Sequence, residues 1–280
     1  GSIQSRVFKV TGGTVSMANM TIRNGWAPDK GYGGGILVSG GILTLNQSTV
    51  TANTANPYST AGRGGGLYVY EGATLNLNYS TVSENTAGRG GGIYNRGTLT
   101  VVGSVLRNNN SLSSAGGLQS GDPGSGQNAV ATLNNSTVTG NISARNSGGI
   151  KVHSSSLTVT DSVISSNTSE YAGGGITVHS ATLTMINTVV IGNASTRPAT
   201  VGCSSCSGGG ISIRQGGTAS LTGSTITGNS AGLEGGGIAA NHYSSVAPTS
   251  LTLVNTTVTG NSASFDPNCS YTPEQPDSGC

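Results

Sequence analysis

Short runs of alternating apolar and polar residues fill this chain. In Leu43-Thr-Leu-Asn-Gln-Ser-Thr-Val-Thr-Ala-Asn53 the apolar side chains fall at every second place, the alternation breaks once, and it then resumes. The same pattern returns at 75–85, 99–109, 131–141, 157–167, 183–193, 219–229 and 251–261. A weaker copy at 15–25, with Asn24 displaced by one place, makes nine. Between successive copies stands Gly-Gly-Gly-Ile or a near variant, whose apolar residue is Ile36, Leu67, Ile93, Leu118, Ile150, Ile176, Ile211 or Ile238. A period of two in Val, Ile, Leu and Thr predicts strands, and no run between the glycines is long enough for a helical stripe. Each repeat therefore reads as three short strands: Leu-x-Leu, Ser-x-Val, and Ile-x-Val after the glycines. A shortest period of about 26 residues with scattered insertions is the behaviour of a solenoid.

The predicted fold is an all-β, right-handed parallel β-helix of about nine coils with three short strands per coil. Handedness follows from the crossover rule. One domain spans 1–263, and 264–280, with its prolines and cysteines, is expected to fold over the last coil as a flap. Stacking places like residues in columns. Leu43, Leu75, Leu99, Leu157, Leu183 and Leu251 form one, and Val50, Val82, Val138, Val190 and Val258 another. Each buried side chain favours folding by roughly 1.5–3 kcal/mol before entropy is counted. Asn53, Asn85, Asn109, Asn141, Asn167, Asn193, Asn229 and Asn261 recur at one turn. Asn tolerates a left-handed corner and can bond the same amide one coil away, so the row is read as a structural ladder. The glycine triplets supply positive φ and close backbone approach. No Gly-Lys-Ser/Thr follows them, so they are not phosphate loops.

Composition narrows the functional classes. Of 280 residues, 47 are Gly and only 8% are charged, with a net charge of +2. This balance offers no electrostatic footprint for nucleic acid or anionic membrane, and no apolar run is long enough to span a bilayer. Cys203 and Cys206 sit close together, as do Cys269 and Cys280. Local pairing (Cys203 with Cys206, Cys269 with Cys280) is the expected disulfide arrangement, implying an oxidising, extracytoplasmic location.

Val82-Ser-Glu-Asn85-Thr-Ala87 leading into Gly90-Gly-Gly-Ile93 resembles the polymorphic outer-membrane protein repeat of bacterial surface adhesins. It is also similar to β-helical repeats of large bacterial surface proteins, in which Gly-Thr-Leu-Thr-Leu-x-Asn-Ser-Thr-Val-x-Gly-Asn recurs. The likeness runs from Val15 to Asn261. It departs from the adhesin motif in having Val where that motif has Phe. The resemblance implies the fold and a secreted or cell-surface setting, and it fixes no ligand residue.

Parallel β-helices also host polysaccharide lyases and hydrolases, whose chemistry needs two or three carboxylates close together, or carboxylates with Ca²⁺ and an Arg or Lys base. The ten acids form no such pair within the regular coils. The expectation is therefore a non-enzymatic adhesin, stalk or assembly subunit without catalytic residues, metal or cofactor. Its partners would be surface glycans or further copies joined head to tail. A carbohydrate-active enzyme is one alternative. An ice-binding protein is another, because Thr-x-Thr recurs at 49/51, 137/139, 225/227 and 257/259, although Arg107, Val163, Val189 and Ile191 interrupt that plane. One row beside the Gly-Gly-Gly-Ile strands suits glycan contact: Tyr68, Tyr70, Tyr94, Arg96, Lys151, His153, His179 and Arg214. These are expected to point to solvent, with His153 and His179 stacked on neighbouring coils.

Overall fold

A computed structural model describes residues 5–27, 31–122, 129–198, 207–241 and 249–271. Cys203, Cys206 and Cys280 lie outside them, and Cys269 begins the last strand. The described chain is all β. Its strands form four parallel sheets that stack turn upon turn as a solenoid, with ten, nine, nine and eight strands. Sheet I holds the strands after the glycines, such as Ile36–Val38 and Ile150–His153. Sheet II holds the Leu-x-Leu strands, such as Thr74–Asn78, and sheet III the Ser-x-Val strands, such as Thr81–Ser83. Sheet IV is the correction to three strands per coil. After each ladder asparagine a short strand pairs with its neighbour, as Thr54–Ala55 does with Thr86 and Ala87. Most of these strands are two residues long, too short for any alternation to show. Eight turns carry all four strands. Of the segment expected as a flap, residues 264–271 continue the coil, with Cys269–Tyr271 paired in parallel to Ile238–Ala240, and 272–280 lie outside the described residues.

The columns are in register as expected. Leu43, Leu75, Leu99, Ala131 and Leu157 follow one another through sheet II. Ile22, Val50, Val82, Leu106 and Val138 do so through sheet III. Together they fill one continuous core.

The asparagine row is a ladder, but its conformational reason differs from expectation. The left-handed residue is the one before each asparagine: Ala52, Glu84, Asn108, Gly140, Ser166, Gly192, Gly228 and Gly260 all have φ between 52 and 65°. The asparagine itself is buried. Its Nδ2 donates to the next asparagine's Oδ1 at 2.9–3.0 Å, from Asn53 through to Asn261. The same Nδ2 donates to a backbone carbonyl of the preceding turn, as Asn141 does to Leu106 at 3.0 Å. Asn24 occupies the left-handed place, with φ 61°, so Gly25 takes the ladder position and its N–H donates to Asn53 Oδ1. At the other end Asn268 accepts from the Asn261 amide.

The first glycine of each full triplet has φ from 58 to 78°. The third faces the ladder. A Cβ on Gly66 would stand 3.0 Å from the Asn85 amide carbon and 2.8 Å from the Gly92 carbonyl oxygen. A second ladder, of serines, runs along the sheet II to sheet III corner. The N–H of Ser48 bonds Ser80 Oγ, that of Ser80 bonds Ser104 Oγ, and that of Ser104 bonds Ser136 Oγ, at 2.9–3.2 Å. Its signal was a serine two places before the inward sheet III residue in six of the nine repeats, with threonine there in two more.

Candidate functional site

The eleven-residue run from sheet II to the ladder has one length in every coil, so insertions collect in the connections at either end of sheet I. Where these connections are described, as at Arg63 and Asp122, they border its outer face as a trough. The central outward column runs Leu37, Tyr68, Tyr94, Gln119, Lys151, Thr177 and Ser212 in register. These residues are not free in solvent as expected. Tyr68 and Tyr94 are 0% exposed, and Gln119, Thr177 and Ser212 are buried too. Lys151, Tyr70, Arg96, His179 and Arg214 are half-buried, and His153 is 9% exposed.

In the turns nearer the N-terminus the floor of the trough is aromatic. Tyr32 stacks on Tyr68 at 4.7 Å, Tyr68 stacks on Tyr94 at 5.3 Å, and Tyr70 meets Tyr68 edge-on. Arg63 and Asp122 explain the burial. They come from opposite ends of sheet I strands two turns apart and join in an ion pair at 2.6 Å. The Arg63 guanidinium lies 5.1 Å from the Tyr94 ring centre, and the Asp122 carboxylate acts on the Tyr94 phenol, helping to raise it. Gln119 Nε2 donates to that hydroxyl as well, at 3.3 Å. Burial pushes the Tyr94 and Tyr68 phenols above their usual range, with Arg96 partly opposing the effect at Tyr68. This stretch is a sealed aromatic strip capped by a salt bridge.

The later turns are built differently. His153 pairs in register with His179, and His179 with Arg214. The two imidazoles stack at 4.2 Å, close to the strand spacing expected for them. Burial, and then the charges of Arg89 and Arg214, push the Lys151 ammonium down to about 8, with Asp122 opposing. Burial and the neighbouring Lys151 hold His153 near 4. His179 is held there by burial, His153 and Lys151. Both rings are neutral at pH 7. Arg214 Nε donates to Ser212 Oγ at 2.9 Å, which fixes the guanidinium on the face. His153 Nδ1 is buried without a hydrogen-bond partner among the described residues. Directly beyond the histidines lies an open groove of about 610 Å³ lined by Ser154, Ser155, Ser156, Ser180, Thr182 and Thr218.

Arg6, Arg63, Arg89, Arg96, Lys151 and Arg214 all act on this one face, half of the 12 Lys and Arg in the chain. Sequence reasoning missed Arg63, Arg89, Gln119 and Asp122, which no local pattern connects to the tyrosines. Among the described residues no cluster of three or more His, Cys, Asp or Glu is placed to hold a metal ion, and no helix is long and apolar enough to cross a membrane. On sheet III the Thr-x-Thr pairs share their rows with Val105, Val163, Val189, Arg107 and Ile191. No family model, curated protein or solved structure matches the chain.

Proposed function

We propose that this chain is the acidic-glycan-binding segment of a secreted or surface-displayed protein. One observation carries the reading: Lys151, His153, His179 and Arg214 converge beside a hydroxyl-lined groove on a chain of which only 8% is charged. Desolvated cations with hydrogen-bonding neighbours favour carboxylate or sulfate groups, and a groove of this size admits sugar rings. The repeat's likeness to bacterial surface adhesins supports the setting. Titration with polyuronates and sulfated glycans, against a neutral glucan, tests it. Binding of an acidic chain that weakens as salt rises is the expected result. Equal affinity for the neutral glucan, or no binding, overturns it.

A second reading, end-to-end self-association, rests on exposed apolar residues in the terminal turns: Val7 and Met20 at one end, Val254 and Phe265 at the other. Open strand edges are templates for further strands. Light scattering of the wild type against Val7→Lys is the test. Mass that rises with concentration in the wild type alone supports the reading, and a constant monomer mass rejects it.

A further inference from the structure

The basic end of the trough holds the parts of a chemical step as well as of a binding site. Lys151 lies between Gln119 and Thr177 in the outward column, with His153 and His179 two places further along the strands. The charged and titratable groups acting on it are Arg89, Arg214 and Asp122, together with those two histidines. Arg214 is held by Ser212, and the groove begins where the histidine strands end. A uronate resting here would set its carboxylate against a guanidinium and its ring against the Ser/Thr wall. Pairing that carboxylate with a cation acidifies the adjoining C–H, and an amine in its neutral form can take the proton.

Resting on the acidic-glycan reading, the geometry points to a further activity: cleavage of uronate-containing glycans by β-elimination, with Lys151 as the base and Arg214 neutralising the uronate carboxylate. The C–H bond beside the carboxylate breaks, its proton goes to the Lys151 amine, and its electron pair forms a carbon–carbon double bond. The neighbouring bond to the glycosidic oxygen breaks in turn. That oxygen leaves with its pair and gains a proton from water, while Lys151 returns its own proton to solvent. One chain yields an unsaturated uronate end and a new hydroxyl, with nothing oxidised or reduced. Burial and the two guanidinium groups keep the amine neutral in mildly alkaline solution, as the step needs. The histidines, uncharged there, are left to hydrogen-bond sugar hydroxyls.

The experiment incubates the whole chain with polygalacturonate, alginate and hyaluronan, following the ultraviolet absorbance of the conjugated product and, separately, polymer binding. Wild type should generate absorbance from at least one polymer, at a rate that climbs with pH through about 8. Lys151→Gln should lower that rate by about a hundredfold or more, well beyond whatever it takes from affinity. Lys151→Arg should fail likewise, because a guanidinium does not deprotonate. Binding without absorbance at any pH across the Lys151 titration overturns the elimination and leaves the binding function standing. No binding to any polyuronate overturns both. Undiminished absorbance from Lys151→Gln overturns the assignment of the base.

Discussion

The outer face of sheet I rests on one backbone but is finished in two ways. From Leu37 to Gln119 the column is aromatic and sealed, with Arg63 and Asp122 joined above it and the Tyr94 hydroxyl accepting from Gln119. From Lys151 to Arg214 the same column and its neighbour carry an amine, two imidazoles and a guanidinium beside an open groove. In the first stretch charge is neutralised within the protein and adds to packing. In the second, cations crowd one another and push each other's ionisation down, which costs stability. Groups kept at such a cost are candidates for function. The ladder is identical in both stretches, so the difference lies in the outward side chains of sheet I and in the connections at its ends.

The largest effect should come from reversing charge in the open stretch. Lys151→Glu with Arg214→Glu should weaken acidic-glycan binding by about a hundredfold or more, roughly 3 kcal/mol. Tyr94→Phe in the sealed stretch should leave affinity within a few-fold. Isothermal titration of both variants would break the comparison if the tyrosine variant lost more.

Acid should separate the stretches next. His153 and His179 have folded values near 4, below the ordinary 6.5, so the unfolded chain takes protons first. Their contribution is whole above about pH 6.5 and is lost as pH falls towards 4, on the order of 2 kcal/mol. Replacing both with Gln should flatten that part of the stability–pH curve in urea titrations. The tyrosines do not titrate in this window.

The shared scaffold can be tested by Asn141→Ala. It should cost about 1–3 kcal/mol by leaving the amides of Asn109 and Asn167 short of a partner. Asn24→Ala, at a place where the next turn already has an alanine, should cost much less. Equal melting temperatures for the two would remove the ladder as the common support.

The smallest expected change is a gain. Lys151→Met removes a desolvated charge and should raise stability at pH 7 by about 1 kcal/mol, read from the denaturation midpoint. A loss of stability would mean that the ammonium is better solvated than its neighbours imply.

Much of this was legible in the residues. Leu43, Leu75 and Leu99 could be set in a column because their pattern repeats with the coil. The asparagine row and the third glycines could be read because one residue type recurs at one place. Thr54–Ala55 could not be read as a strand, since two residues show no period. Nor could the burial of Tyr68 and Tyr94, which depends on Arg63 meeting Asp122 across 59 positions of sequence. The histidine stack was visible in advance, as its two members stand one regular coil apart.

The constant length of the run from sheet II to the ladder has a consequence for inheritance. Successive ladder asparagines are 24 to 36 residues apart, yet each amide meets the next. A gene for such a chain can gain or lose a whole turn without disturbing the turns on either side. The trough would then lengthen or shorten in steps of one strand spacing, about 4.8 Å. Duplication and deletion thus act as a vernier on the molecule, setting the length of this outer face while leaving the geometry of each turn untouched.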